Sequence, residues 1–107
     1  MSLLTTLSKL LDGFGQLPGD VHHGWKPDLS FPCTVWAEEG SDALHADGGV
    51  AEQTLTGSTD YYTPEELDSM VDTIQERMTA MGLAWELNSI QHEQDTGLHH
   101  WEWVWEV

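Results

Sequence analysis

Six histidines stand beside nineteen carboxylates in a chain of 107 residues, a composition that raises metal chemistry first. His22-His23 falls in a loop-like stretch, His45 lies near a turn, and His92, His99 and His100 flank the last turn. A cross-strand pair, His92 with His100 or His92 with His99, joined by Glu93 or Asp95, would supply donors that zinc accepts. Against this, the chain has no His-Glu-x-x-His, no histidine pair one helical turn apart and no spaced cysteines. Surface histidines on a hairpin are the plainer reading, so no metal and no other cofactor is assigned.

Asp95-Thr96-Gly97 spells the tripeptide around an aspartic protease carboxylate, but that mechanism needs two such carboxylates held together. The same residues are ordinary turn chemistry, which is the expectation here. Cys33 is the sole cysteine. It has no basic neighbour in sequence to lower its thiol pKa, which disfavours a nucleophile, and a single thiol excludes an intramolecular disulfide framework. Gly48-Gly49 lacks the spacing and the lysine of a phosphate loop. No catalytic residue is assigned and no enzyme is expected.

The balance of nineteen Asp and Glu against three Lys and Arg gives a formal net charge of −16. Nucleic-acid affinity comes mainly from basic side chains that displace counterions, so direct nucleic-acid binding is not expected. With 39% hydrophobic residues, including six Trp, the chain is too apolar for a disordered acidic tail. The length suits one domain over residues 1–107, burying roughly two thirds of the surface of the unfolded chain. No signal peptide and no membrane span is apparent, which fits synthesis in a reducing cytoplasm.

These residues must be positioned by a small set of elements. Leu3, Leu4, Leu7, Leu10, Leu11 and Phe14 recur at helical spacing before Gly13 and Gly15, which predicts a first helix. Residues 16–31 read as a long connection. Pro32 opens a strand over Cys33–Ala37 that ends in Glu38-Glu39-Gly40-Ser41-Asp42. Ala46-Asp47-Gly48-Gly49 is a turn between a short arm, residues 43–46, and a long extended segment, Val50 to Tyr62. Neither face of that segment is strongly apolar, which points to partial exposure or to cover by a neighbouring subunit. Thr63-Pro64-Glu65-Glu66 reads as a capping box for a second helix with the stripe Leu67, Met70, Val71, Ile74, Met78 and Met81, closed by Gly82. Two alternating strands, residues 84–92 and 98–107, form a terminal hairpin with Trp101, Trp103 and Trp105 on one face. The sum is an α+β domain, a mainly antiparallel sheet packed against two helices.

Taken together, Ala46-Asp47-Gly48-Gly49, Glu52-Gln53, Gly57-Ser58-Thr59-Asp60-Tyr61-Tyr62-Thr63, the acidic helix, Leu87-Asn88-Ser89, Glu93, Thr96-Gly97 and His100-Trp101-Glu102-Trp103-Val104-Trp105 resemble the tail terminator, or tail completion, family of long-tailed phages and prophages of Gram-positive bacteria. The resemblance covers nearly the whole chain, and its motifs are patterns rather than catalytic signatures. It implies a virion protein made in the host cytoplasm: a homohexameric ring that caps the tail tube, stops its polymerisation and meets the head connector. DNA would pass through the lumen, where carboxylates repel rather than grip it. The partners so implied are copies of the chain itself, the major tail tube protein and a head-tail connector protein, with no membrane.

Ring contacts are expected from Thr54, Thr56 and Ser58 on the polar segment, and from Trp25, Trp36 and Trp103, because aromatics are enriched in interface cores. Packing of the tryptophan face against the Leu/Met helix is the other reading of those rings. Three alternatives stand beside the terminator: another neck or head-tail joining protein, an acidic module or nucleic-acid mimic that sequesters a basic partner, and a metal-dependent enzyme built on the last hairpin.

Overall fold

A computed structural model describes residues 2–25, 30–46 and 49–107, with the backbone alone for 41–46 and 49–53. The elements run α1 (Leu3–Gly15), β1 (Val21–His23), β2 (Cys33–Ala46), β3 (Gly49–Thr63), α2 (Met70–Ala80), β4 (Ala84–Glu93) and β5 (Leu98–Glu106). The strands form one sheet in the order β1-β2-β3-β5-β4. All neighbours are antiparallel except β1 with β2. The expected α+β architecture, a sheet packed against two helices, is what the chain adopts.

Ser2 caps α1, its Oγ accepting from the Thr5 N–H at 3.1 Å. Of the predicted apolar stripe only Leu10 and Phe14 are fully buried, with Leu7 packed at the margin, while Leu3, Leu4 and Leu11 are exposed. Arg77 donates to Gln16 Oε1 at 3.1 Å and ties the end of α1 to α2. Phe14 stacks on Trp36 with ring centroids 4.7 Å apart and lies 5.9 Å from Trp105. These rings join Tyr61, Ile74, Met78 and Trp103 in one core between helices and sheet. Aromatic rings of this size dominate the apolar area a small domain can bury.

Three indole N–H groups on this side of the sheet find acceptors: Trp103 on Gln75 Oε1 at 3.0 Å, Trp105 on Thr59 Oγ1 at 3.0 Å and Trp85 on Thr79 Oγ1 at 2.9 Å. The Trp101 Nε1 donor is buried and has no partner among the described residues. The Trp105 ring lies over Gly57, its neighbour in register. A Cβ there would collide with the Ala37 carbonyl oxygen and with Trp105 Cη2, so only glycine leaves room for the ring.

Four sequence expectations change. The second helix starts at Met70, not after Thr63, because Thr63 remains in β3 opposite His99. Asp68 provides the start signal instead. Its Oδ1 accepts from the Met70 N–H at 2.9 Å, and its Oδ2 accepts from the Tyr61 and Thr63 hydroxyls at 2.6 and 2.8 Å. Leu67 therefore precedes the helix and is 90% exposed. The end of α2 is as expected: Gly82 adopts φ +79°, with the Leu83 N–H on the Met78 carbonyl and the Gly82 N–H on the Thr79 carbonyl.

The connection from 16 to 31 contains β1, whose three residues pair in parallel with Thr34, Val35 and Trp36. Three residues are too few to show a period. Strand β2 does not stop at Ala37 but continues to Ala46, with a register shift between Glu38 and Gly40 where the polar run had read as an end. The inner half of β3 is not two-sided polar in its surroundings, since Leu55, Thr59 and Tyr61 face the core and are buried. Of the turn between β2 and β3, Asp47 and Gly48 lie outside the described residues, while Ala46 and Gly49 pair across it.

Candidate functional site

Strand β5 ends at Glu106, opposite Thr56, and Val107 exchanges backbone hydrogen bonds with Leu55 at 2.9 and 3.2 Å. Beyond Leu55 the only strand among the described residues paired with β3 is β2, and that pairing runs on from Ser41↔Leu55 to Ala46↔Gly49. The β2–β3 hairpin thus projects past the sheet as a two-stranded arm. The molecule is accordingly elongated, 53 × 25 × 24 Å. A two-stranded ribbon is marginal by itself in water, and its outer edges carry unpaired backbone donors and acceptors.

The residues expected at an interface divide on this frame. Thr54 sits at the base of the arm opposite Asp42, and Thr56 lies where the arm leaves the sheet, opposite both Gly40 and Glu106. Both are half-buried. Ser58 is buried at the arm's root and donates to Glu39. Trp25 is 71% exposed. Trp36 and Trp103 are 2% and 0% exposed, enclosed by this chain's own core, so their rings are not presented at its surface. Trp36 stacks on both Phe14 and His23, and Trp103 lies under α2 through Gln75. Trp103 packs against the Leu/Met helix, as the packing reading of the tryptophan face has it, whereas Trp36 is covered by α1.

The last hairpin does not assemble the metal arrangement considered above. His92 pairs in register with His99, and their rings stack 4.6 Å apart. Successive side chains on a strand point to opposite faces, so His100 is on the other side of the sheet from His99. There its Nε2 meets Asp60 Oδ1 at 2.7 Å. Among the described residues no group of three or more His, Cys, Asp or Glu side chains is placed to hold a metal ion. Asp95-Thr96-Gly97 is turn chemistry: Gly97 has φ +73°, its N–H bonds the Glu93 carbonyl at 2.8 Å, and Thr96 Oγ1 lies 3.3 Å from Glu93 Oε2.

The helix-free face holds the most developed chemistry. Cys33, Tyr62 and His100 are neighbours across β2, β3 and β5, and Val35, Asp60 and Glu102 form the next row. The Tyr62 ring stacks on the His100 imidazole at 4.2 Å. The hydrogen bond that His100 donates to Asp60 raises the His100 pKa above its ordinary 6.5; burial opposes this, and the fields of Asp60, Glu102 and Glu93 reinforce it. Burial, followed by the charges of Asp60 and Glu93, pushes the Tyr62 phenol up to about 12, which keeps it neutral. Beside this cluster is an open hollow of about 530 Å³. Its most buried lining residues are Cys33 and Leu98, its aromatic walls are Trp25, Phe31 and Tyr62, and Asp60 and Glu93 supply its charge.

Sequence reasoning had no signal for this hollow. Its residues come from β2, β3, β5 and the flanks of two loops, and only the strand register brings them together. No helix among the described residues is long and apolar enough to cross a membrane. The chain matches no protein-family model and no curated protein.

Proposed function

We propose that the chain is a structural virion protein of the tail terminator type, which closes a phage tail tube as a ring and offers a surface to the head connector. The observation that carries the reading is the β2–β3 arm. It extends beyond β5 with no further strand beside it among the described residues, and a ribbon of that kind gains most by lying against a neighbouring copy. Contacts of one copy's arm with a different surface of the next are heterologous, the type that closes into rings when the rotation permits.

The charge of −16 fits the same role. A passage lined with carboxylates lets DNA slide without adhesion, because the field repels phosphate at short range. Another neck or head-tail joining protein would share these features and is the nearest alternative. The charge alone also supports a second reading, an acidic module that captures a basic partner in place of nucleic acid.

The test is to delete the gene in the phage or prophage that carries it and to measure tail length in micrographs. The terminator reading expects tubes of uncontrolled length and headless tails. Tails of normal length, joined to heads, would overturn it. A purified monomer that binds a DNA-binding enzyme stoichiometrically and blocks its access to DNA would establish the sequestering reading instead.

A further inference from the structure

The hollow on the helix-free face combines three aromatic side chains with two carboxylates. Phe31 and Tyr62 have ring centroids 6.0 Å apart at an interplanar angle of 53°, forming two walls of a corner. Trp25, 71% exposed, stands at the open side. Asp60 and Glu93 lie in the same lining, which among the described residues contains no lysine or arginine. The volume of about 530 Å³ falls inside the range of roughly 300–1,000 Å³ in which single small groups are bound.

This set of groups selects its occupant. An anion is repelled by the two carboxylates and by the −16 charge behind them. Asp60 is held through Oδ1 by His100 and Glu93 through Oε2 by Thr96, so a neutral apolar group would still strip water from the second oxygen of each carboxylate without replacing its hydrogen bonds, which is costly. A cation satisfies both parts of the site, the ring faces through their quadrupoles and the carboxylates through charge. Arginine fits better than lysine, since a planar guanidinium stacks on aromatic faces while its edge N–H groups reach carboxylates.

A second copy of the chain is a poor source of that group. The chain has three basic residues in all, and Arg77 is already held by Gln16 on the helix side. We propose that the helix-free hollow is a receptor site for an arginine side chain presented by a different, basic partner protein, with Trp25, Phe31 and Tyr62 as its cage and Asp60 and Glu93 as its counter-charge. The inference goes beyond the ring and stands whether or not a ring forms.

The experiment is a titration of the full chain, followed by NMR, with the peptide acetyl-Gly-Arg-Gly-amide and with its citrulline counterpart, which keeps the shape and removes the charge. The arginine peptide should produce saturable shifts at the Trp25 indole and the Tyr62 ring. Its binding should be at least about fivefold tighter than that of the citrulline peptide. Trp25→Ala and Glu93→Gln, both away from the core, should each weaken binding while leaving the remaining spectrum unchanged. Equal response to the two peptides, shifts confined to the helices or the arm, or binding unaffected by either variant would overturn the proposal.

Discussion

Asp68 shows how one carboxylate organises a junction. It receives the Tyr61 and Thr63 hydroxyls and the Met70 N–H, joining the end of β3 to the start of α2. Burial pushes its pKa up, yet these three hydrogen bonds outweigh that effect and hold the carboxyl below its ordinary 3.8. A depressed carboxylate stabilises the fold above its unfolded pKa, and the contribution is lost as pH falls through the folded value. Asp68→Ala should therefore cost about 2 kcal/mol at neutral pH by denaturant unfolding, and the cost should shrink as pH falls below the ordinary 3.8. His100 has the opposite sign. Its raised pKa means that its pairing with Asp60 is fully present below pH 6.5 and fades as pH rises through the folded value. The imidazole resonances should titrate above 6.5 by NMR, and Asp60→Asn should bring the midpoint down. The tryptophans differ among themselves as well. Trp103→Phe strands the Gln75 acceptor and opens a void, whereas Trp101→Phe removes a donor that has no partner among the described residues. The first substitution should destabilise by at least about 1 kcal/mol more than the second.

At the scale of elements, Gly57 and the β2–β3 arm make separable demands. Gly57→Ala places a methyl against the Ala37 carbonyl and the Trp105 ring, so it should cost about 3 kcal/mol. A fall in melting temperature of roughly 4–8 °C per kcal/mol is the readout. Excising residues 43–53 and joining Asp42 to Thr54 through Asn-Gly should change monomer stability by less than about 1 kcal/mol, because it removes pairing only outside the sheet. If the chain forms the proposed ring, the same excision should abolish its assembly. The elements also show what sequence could reveal. Both helices, the terminal hairpin and the Gly82 and Gly97 turns were legible because period and turn chemistry are local signals. The start of α2 was misread because Thr63-Pro64-Glu65-Glu66 satisfies a capping rule that Asp68 fulfils in space instead. Strand β1 and the continuation of β2 are held by pairing rather than by pattern, and the aromatic hollow exists only through register among β2, β3 and β5. Trp36 and Trp103 were named for an interface on residue type, while their location depended on which face the helices cover.

The whole molecule is an elongated body, 53 Å in its longest dimension, carrying a charge of −16. Self-repulsion at this charge should make the fold salt-sensitive. Raising sodium chloride from about 0.01 to about 1 M shortens the screening length from roughly 30 to 3 Å. The melting temperature should rise by at least about 5 °C across that range, and a flat or falling response would mean that the carboxylates are spaced widely enough to ignore one another. In an assembly the same charge must be placed somewhere, and an acidic central passage puts it to use. For the proposed terminator role, the most direct measurement is electron microscopy of the purified chain mixed with tail tubes of the phage or prophage whose genome encodes it. The account predicts six-fold rings at one tube end with a carboxylate-lined lumen, and their absence when residues 43–53 are excised. Bare tube ends with the chain monomeric in solution, or rings with a neutral or basic lumen, would contradict it.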